Sequence, residues 1–584
     1  MQKFLQLIPA LLISVSLCTA KAAEMDPHFD ELASRYIEEF TALSPVQATE
    51  LGDHRYDSKL DDVSQQARDR KVRFCRSYLK QLTQIDRGKL SRQLQIDHEL
   101  LEHDLSKTLW ELTVLREWEW NPLMYTSLAG GAIYSLTARN FAPLEQRLSD
   151  AAARLEHFPE FYRQVRATLI PQRVPPVHAE TAVKQNRGVL SILTNMVEPH
   201  LDSLPADQQA RLQTAIASAR AAVDEQQQWL EHTLVPQAAG NFRIGPALYD
   251  QKLKYTLQSD LSRDQIRARG ESELHRVRTE MYEISRKVYA TEYPLTEFPE
   301  NPPEAFRQAI IRAALELAYA GVPGRDAIVA TAEQSMKITT DFVRSRDLIT
   351  IPDDPLEIII MPEFQRGVSV AYCDSPGPLD VGQKTFYAVA PLPDDWSQAQ
   401  CASFLREYNT LSIHNLTVHE AMPGHFLQLA FANRYPSRLR ALLASGVFIE
   451  GWACYTEQMM SEAGFLDNDP LMRLITLKWY LRSIVNAILD QSVHVDGINR
   501  EEAMRMMIED AFQEEREAAG KWKRAQMTSV QLSTYFVGFQ EHRDLRHAAE
   551  KAQGNKFSLR KYHDAVISHG SPPVRYVRSL LLED

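Results

Sequence analysis

Cysteine is scarce in this 584-residue chain, with five residues and no Cys-x-x-Cys pair. That count excludes a thiolate metal knuckle and a dense disulfide framework. One bridge among Cys75, Cys373, Cys401 and Cys454 stays open. Positive charge is in deficit, at a formal net charge of -12 and without a local basic run. Such a surface repels nucleic-acid phosphates and anionic lipid. Past the N-terminus no stretch is apolar enough to span a bilayer. The strongest, Leu471 to His494, carries Arg473, Lys478, Arg482 and Asp490, and reads as an amphipathic or buried helix. Repeats, low-complexity tracts and Gly/Ser linkers are missing, as are glycine-rich phosphate loops. Gly367-Val368-Ser369-Val370-Ala371 lacks the last glycine of a serine-hydrolase nucleophile elbow.

The N-terminus does hold an apolar run. Lys3, the stretch Leu5 to Leu17 and Ala20-Lys21-Ala22 form the three parts of a secretory signal. Residues 1–22 are therefore expected to be a signal peptide, and export places the mature chain in the periplasm or outside the cell. Cleavage removes Lys3 and Lys21 and takes the charge to -14. Cys18 is a poor lipidation site because Leu17 stands where a small residue is required.

Helical patterns dominate the remainder. Ser44-Pro45-Val46-Gln47 has the form of a capping box, Asn301-Pro302-Pro303-Glu304 repeats the logic, and Asn499 with Glu502 opens another helix. Leu477, Leu481, Ile484 and Ile488 recur at helical spacing as core. Strand signals are confined to Leu356–Met361 and Thr385–Val389. They predict a small sheet beside a helical site, either a structural hairpin or an edge that pairs with an extended peptide. The chain is expected to be one large domain over 23–584. The Pro- and Tyr-rich segment 287–303 is the candidate hinge between lobes 23–286 and 304–584.

Two segments carry chemistry. Thr417-Val-His419-Glu420-Ala-Met-Pro423-Gly424-His425 joins two imidazoles and a carboxylate; Glu450-Gly-Trp452-Ala-Cys454-Tyr455-Thr-Glu457 follows about one helical hairpin later. Zinc favours such nitrogen and oxygen donors, and a catalytic site leaves one position for water. His419, His425 and Glu450 are the expected ligands of Zn2+, and Glu420 the general base. Glu457, two turns beyond Glu450, would orient a ligand histidine through its other ring nitrogen. His425 is six residues from His419, roughly 120° around a straight helix at ~100° per residue. Pro423-Gly424 must then break the helix and bring the two rings within about 6 Å, the span that two ~2.0–2.1 Å zinc–nitrogen bonds allow.

These motifs resemble those of the bacterial domain-of-unknown-function 885 family, whose hallmarks are His-Glu-x-x-Pro-Gly-His-x-x-Gln and Glu-Gly-Trp-Ala-x-Tyr-x-Glu. Both are intact here, as His419–Gln428 and Glu450–Glu457. Ala48–Asp57, Phe242–Tyr249, Phe557–Asp564 and Gly570-Ser571 are similar to further family segments in the same order. The resemblance implies a mainly α, large helical zinc-peptidase-like fold forming a cleft, distantly like thimet oligopeptidase and the Taq-type carboxypeptidases. Two segments depart from the family pattern. Asp490-Gln-Ser-Val-His494 replaces Asp-Thr-Gly-x-His, and Ser529-Val-Gln531-Leu-Ser-Thr-Tyr535 replaces Pro-x-Gln-x-x-x-Tyr. A tetrahedral oxyanion needs a donor besides the metal, and His494, Tyr535 and His563 are candidates. His414 reads as a bystander.

The expected activity is hydrolysis of short peptides. An amidase or esterase acting on a non-peptide small molecule uses the same parts, and an exported binding protein with a vestigial site would keep only some of them.

Overall fold

The computed structural model describes residues 24–361, 370–393 and 396–582. The expected signal peptide, Cys18 and most of the Gly367–Ala371 segment lie outside the described residues. The fold is mainly α-helical with a three-stranded sheet. Among the described residues no helix is long and apolar enough to cross a membrane.

Three hydrophobic cores organise the helices. The first gathers Phe29, Tyr36, Tyr78 and Leu101, and is closed by Leu439, Leu443 and Tyr576 from the other end of the chain. The second runs from Tyr125 to Leu234 and includes Phe158, Phe161 and Tyr162. The third begins at Tyr249, reaches Val577 and surrounds the His-Glu segments. Residues 287–292 of the expected hinge are the last turns of helix Arg263–Glu292, and 293–303 join it to helix Glu304–Ala318; both helices contribute to this third core.

The sheet comprises β1 (Leu356–Ile360), β2 (Ala371–Asp374) and β3 (Thr385–Val389), ordered β1-β3-β2. β1 and β3 are parallel, with Leu356 opposite Thr385; β2 runs antiparallel, with Cys373 opposite Tyr387. Met361 falls just beyond the first strand. The sequence pattern missed β2, whose four residues are too few for alternation to register. The Val370 carbonyl accepts from the Ala390 amide at 2.8 Å. Antiparallel alternation then turns the Ala371 and Cys373 amides away from β3, toward the open edge.

Six helices carry the site: α1 (Thr410–Glu420), α2 (His425–Ala432), α3 (Gly446–Glu462), α4 (Pro470–Gln491), α5 (Glu515–Met527) and α6 (Ser533–Gln553). α4 covers most of the Leu471–His494 stretch, expected to be an amphipathic or buried helix, and it is buried on nearly every side. Its charges are matched inside the protein. Lys478 and Arg482 meet Glu407, and Asp490 accepts from the Val530 and Leu532 amides. α3 and α6 cross where Gly451 meets Gly538 with no side chain between them. Tyr535 lies one turn earlier on α6, near enough to Glu450 of α3 to feel its charge.

Some local expectations are corrected. Ser44 precedes helix Pro45–Glu50 but makes no capping bond; Asp61 instead accepts from the Val46 amide, and Lys71 holds the Ser44 hydroxyl. The helix from Glu304 likewise starts without a side-chain cap, behind Pro303. A proline-set backbone starts both helices, and at the first a distant partner replaces the local bond. The Asn499–Glu502 capping box forms as expected. Cys75, Cys373, Cys401 and Cys454 are all free thiols.

Candidate metal centre

α1 ends at Glu420, and the chain turns sharply. Ala421 leaves helical geometry, the Met422–Pro423 peptide is cis, and α2 restarts at His425. Gly424 is required because the turn folds back on α1: a Cβ there would lie 1.9 Å from the His419 carbonyl oxygen. Trp452 of α3 donates its indole N–H to the Pro423 carbonyl at 3.0 Å. One motif therefore pins the turn of the other. The outcome is that the His419 and His425 rings stand 4.7 Å apart, nearly perpendicular.

Glu450 completes a triangle. Its Oε2 lies 3.7 Å from His419 Nε2 and 3.6 Å from His425 Nε2. Two donors on ~2.0–2.1 Å bonds at a tetrahedral angle stand about 3.4 Å apart, so these residues fit a single metal ion with little movement. Their donor atoms all lie within 4.8 Å of one another. A second group within the same limit shares His419 and adds Cys454 and Glu457.

His419 is oriented from behind. Its Nδ1 meets Glu457 Oε1 at 2.7 Å, and the other Glu457 oxygen accepts from Asn415 Nδ2 at 2.6 Å. Asn415 in turn accepts from the Thr476 hydroxyl at 3.2 Å. The carboxylate fixes a proton on Nδ1, so Nε2, which faces Glu450 and His425, is the nitrogen that would give its lone pair to a metal ion. Asn415 is four residues before His419 and so shares its helix face. That spacing was the available signal for it, as the four-residue step from Glu450 was for Cys454.

Charge in the site follows from burial and facing partners. Burial disfavours a charged His419, but Cys454, Glu450 and Glu457 outweigh it and hold the imidazole well above its ordinary pKa. Burial raises the Glu450 carboxyl, but His419 and His425 outweigh it and draw the group far below the usual carboxylate range. Glu420 goes the other way. Burial lifts its carboxyl above the ordinary value despite His425, His419 and the Cys373 amide, with Glu450 adding to the rise. β2 therefore borders the site through an edge amide.

The remaining candidates stand apart from the donor triangle to different degrees. Tyr535 accepts from Arg524 at 3.0 Å and from Gln531 at 3.1 Å. Burial, then the nearby Glu450 charge, raises its hydroxyl pKa. His494 Nε2 contacts the Ala525 and Thr528 carbonyls at 2.9 and 2.7 Å. His563 uses Nδ1 on the Leu348 carbonyl and Nε2 on the Tyr455 hydroxyl, each at 2.7 Å. Because carbonyls only accept, both imidazoles are committed donors on those nitrogens. Burial lowers the pKa of each, that of His563 to about 4. His414 pairs with Ser335 at 2.8 Å, away from the triangle.

No curated protein matches the chain. Among solved structures it is similar to a protein from Shewanella oneidensis described as a candidate lipoprotein of unknown function. The two share 33% identity over 95% of this chain and all of that one, with a TM-score of 0.79. A second likeness, to a candidate lipoprotein from Colwellia psychrerythraea, has 19% identity over 95% of this chain and 98% of the other, with a TM-score of 0.75. At that identity it speaks for the fold alone. The sequence profile of the bacterial proteins of unknown function called DUF885 matches residues 45–581, and the chain belongs to that family.

Proposed function

We propose that the chain is a metal-dependent hydrolase in which His419, His425 and Glu450 hold the ion and Glu420 is the general base. The donor triangle, with a buried carboxylate next to its first histidine, carries this reading. Imidazole and carboxylate donors favour Zn2+ among divalent ions. When bound, such an ion polarises a carbonyl and acidifies water. Glu420 accepts the proton of the attacking water and returns it to the leaving group. Glu457 keeps His419 in the tautomer that faces inward. Tyr535 is the proposed oxyanion donor. Arg524 and Gln531 fill lone pairs of its oxygen, so its own O–H stays available. His494 and His563 are assigned to holding the 525–528 segment and Tyr455.

Short peptides are the proposed substrates. Strand β2 lies at the sheet edge beside Glu420, which takes the Cys373 amide, and an extended backbone would add along the rest of that edge. A second reading, an amidase or esterase for a small non-peptide, is favoured by burial: His419, Glu420 and His425 are each only 8% exposed. Export to the periplasm or beyond, through the 1–22 leader, agrees with the lipoprotein descriptions of the structural relatives.

Metal analysis of the purified protein and mass-spectrometric screening of mixed peptides, simple amides and esters test the proposal together. One equivalent of zinc and cleavage products are expected, and Glu420→Gln should keep the zinc and lose turnover. Zinc well below one equivalent, or a Glu420→Gln protein as active as the parent, would overturn it in favour of a binding protein with a vestigial site.

A further inference from the structure

Behind Tyr535 lies a set of buried and half-buried charges in which the cations crowd few carboxylates. Glu407 accepts from Lys478 at 2.8 Å and from Arg482 at 3.2 Å. Glu517 accepts from Arg482 at 2.6 Å on one oxygen and from Tyr408 at 3.1 Å on the other. The two carboxylates are thus used by Lys478 and Arg482. α5 then adds Lys521 and Arg524, one turn apart on the same face. Lys521 is 8% exposed. Its closest ion-pair contact among the described residues is 3.8 Å, to the Glu517 oxygen already held by Arg482. Arg524 contacts two neutral groups, Gln531 and Tyr535, and has no carboxylate within ion-pair distance among the described residues.

Buried charges in folded proteins are paired, because leaving water uncompensated is costly. Here Lys521, buried, and Arg524, half-buried, have no carboxylate within hydrogen-bond distance among the described residues; Glu517 and Glu450 act on them only at longer range. Burial, opposed by Glu517 and reinforced by Arg482 and Arg524, pulls the Lys521 ammonium down to about 7. The Glu450 charge reaches Arg524 as well as Tyr535. A metal ion on Glu450 would offset that charge and leave Arg524 only Glu517, which Arg482 already holds.

We infer that Lys521 and Arg524 form a subsite for a substrate carboxylate, so that the preferred substrate is a peptide with a free C-terminus next to the bond being cut. A guanidinium donates N–H groups to a carboxylate; Nη2 of Arg524 is taken by Gln531 and Tyr535, so Arg524 offers a single-point contact from Nη1 or Nε rather than a fork. An ammonium one turn away supplies the second charge. The same Arg524 that would hold the carboxylate also holds the proposed oxyanion donor, so substrate binding and Tyr535 placement are coupled. The inference rests on the hydrolase reading for its location, but binding and cleavage test the two separately.

The zinc-loaded protein carrying Glu420→Gln, which is expected to abolish turnover, is equilibrated with equal amounts of a mixed tripeptide library bearing free C-termini and the same library as C-terminal amides. Retained peptides are counted by mass spectrometry. Free acids are expected to be enriched at least tenfold. Adding Arg524→Gln should reduce that preference to under twofold, Lys521→Gln should reduce it severalfold, and Arg524→Lys should keep part of it. Equal retention of acids and amides by the parent overturns the subsite. So does a preference unchanged in a folded Arg524→Gln protein; if that variant does not fold, the Lys521→Gln result decides in its place. A preference without hydrolysis by the wild-type chain would keep the subsite and sink the hydrolase instead.

Discussion

Gly538 of α6 touches α3 backbone to backbone: a Cβ on it would lie 2.1 Å from the Val447 carbonyl oxygen and 2.7 Å from Gly451 Cα. Neither neighbour is a side chain that can swing away. Gly538→Ala is therefore expected to cost at least about 3 kcal/mol, the upper range for overpacking. Gly520 on α5 has open space around its missing Cβ, so Gly520→Ala should be neutral or stabilising by up to about 1 kcal/mol. Urea unfolding of both variants checks the contrast, and similar midpoints would contradict the close crossing.

Glu457 sets the orientation of His419. Replacing it by Gln removes the carboxylate from Nδ1, and metal affinity should weaken about 10- to 100-fold. Asn415→Ala should move affinity in the same direction by less. Competition with a chelating dye measures both, and an unchanged zinc affinity in Glu457→Gln would remove Glu457 from the proposed metal site.

Asp97 and Arg440 tie the first core to the segment after α2. Arg440 is 0% exposed and donates to Asp97 at 2.6 Å, with further bonds to Gln93 and the His569 carbonyl. Removing one partner of such a pair strands the other charge, so Arg440→Met should destabilise by about 3–5 kcal/mol. Restoring most of that loss by adding Asp97→Leu would show that the stranded carboxylate, not lost packing, carries the cost. Denaturation of the single and double variants decides.

His54 bridges two carboxylates, Asp57 at 2.9 Å and Asp380 at 3.1 Å, and stacks on Phe141. Burial alone would lower its pKa; the bonds to Asp380 and Asp57 outweigh it and raise the group to about 9. The folded state thus binds the proton more tightly than the unfolded chain. The stabilisation is complete below about pH 6.5, the ordinary histidine value, and fades as pH rises through 9. Melting temperature should fall across that window, and His54→Gln should flatten the fall. A variant with the same pH slope as the parent would contradict the assignment.

The charge deficit, the rarity of strands and the helical stripes were legible from residues in order, because composition and periodicity report local preference. The donor set could be named for the same reason: its residues crowd into two short segments of recognisable chemistry. What the sequence could not state was how His425 returns to His419. Pro423 and Gly424 announced a break, but its direction depends on Trp452, 29 residues away, holding the Pro423 carbonyl. Nor could spacing show that Ser44 would lose its capping role to Asp61, or that Arg524 and Lys521 would stand behind Tyr535 with no carboxylate within hydrogen-bond distance among the described residues. Those outcomes are contacts between distant parts of the chain. Burial makes each of them count, by stripping away the water that would otherwise satisfy any charge or carbonyl wherever it stood.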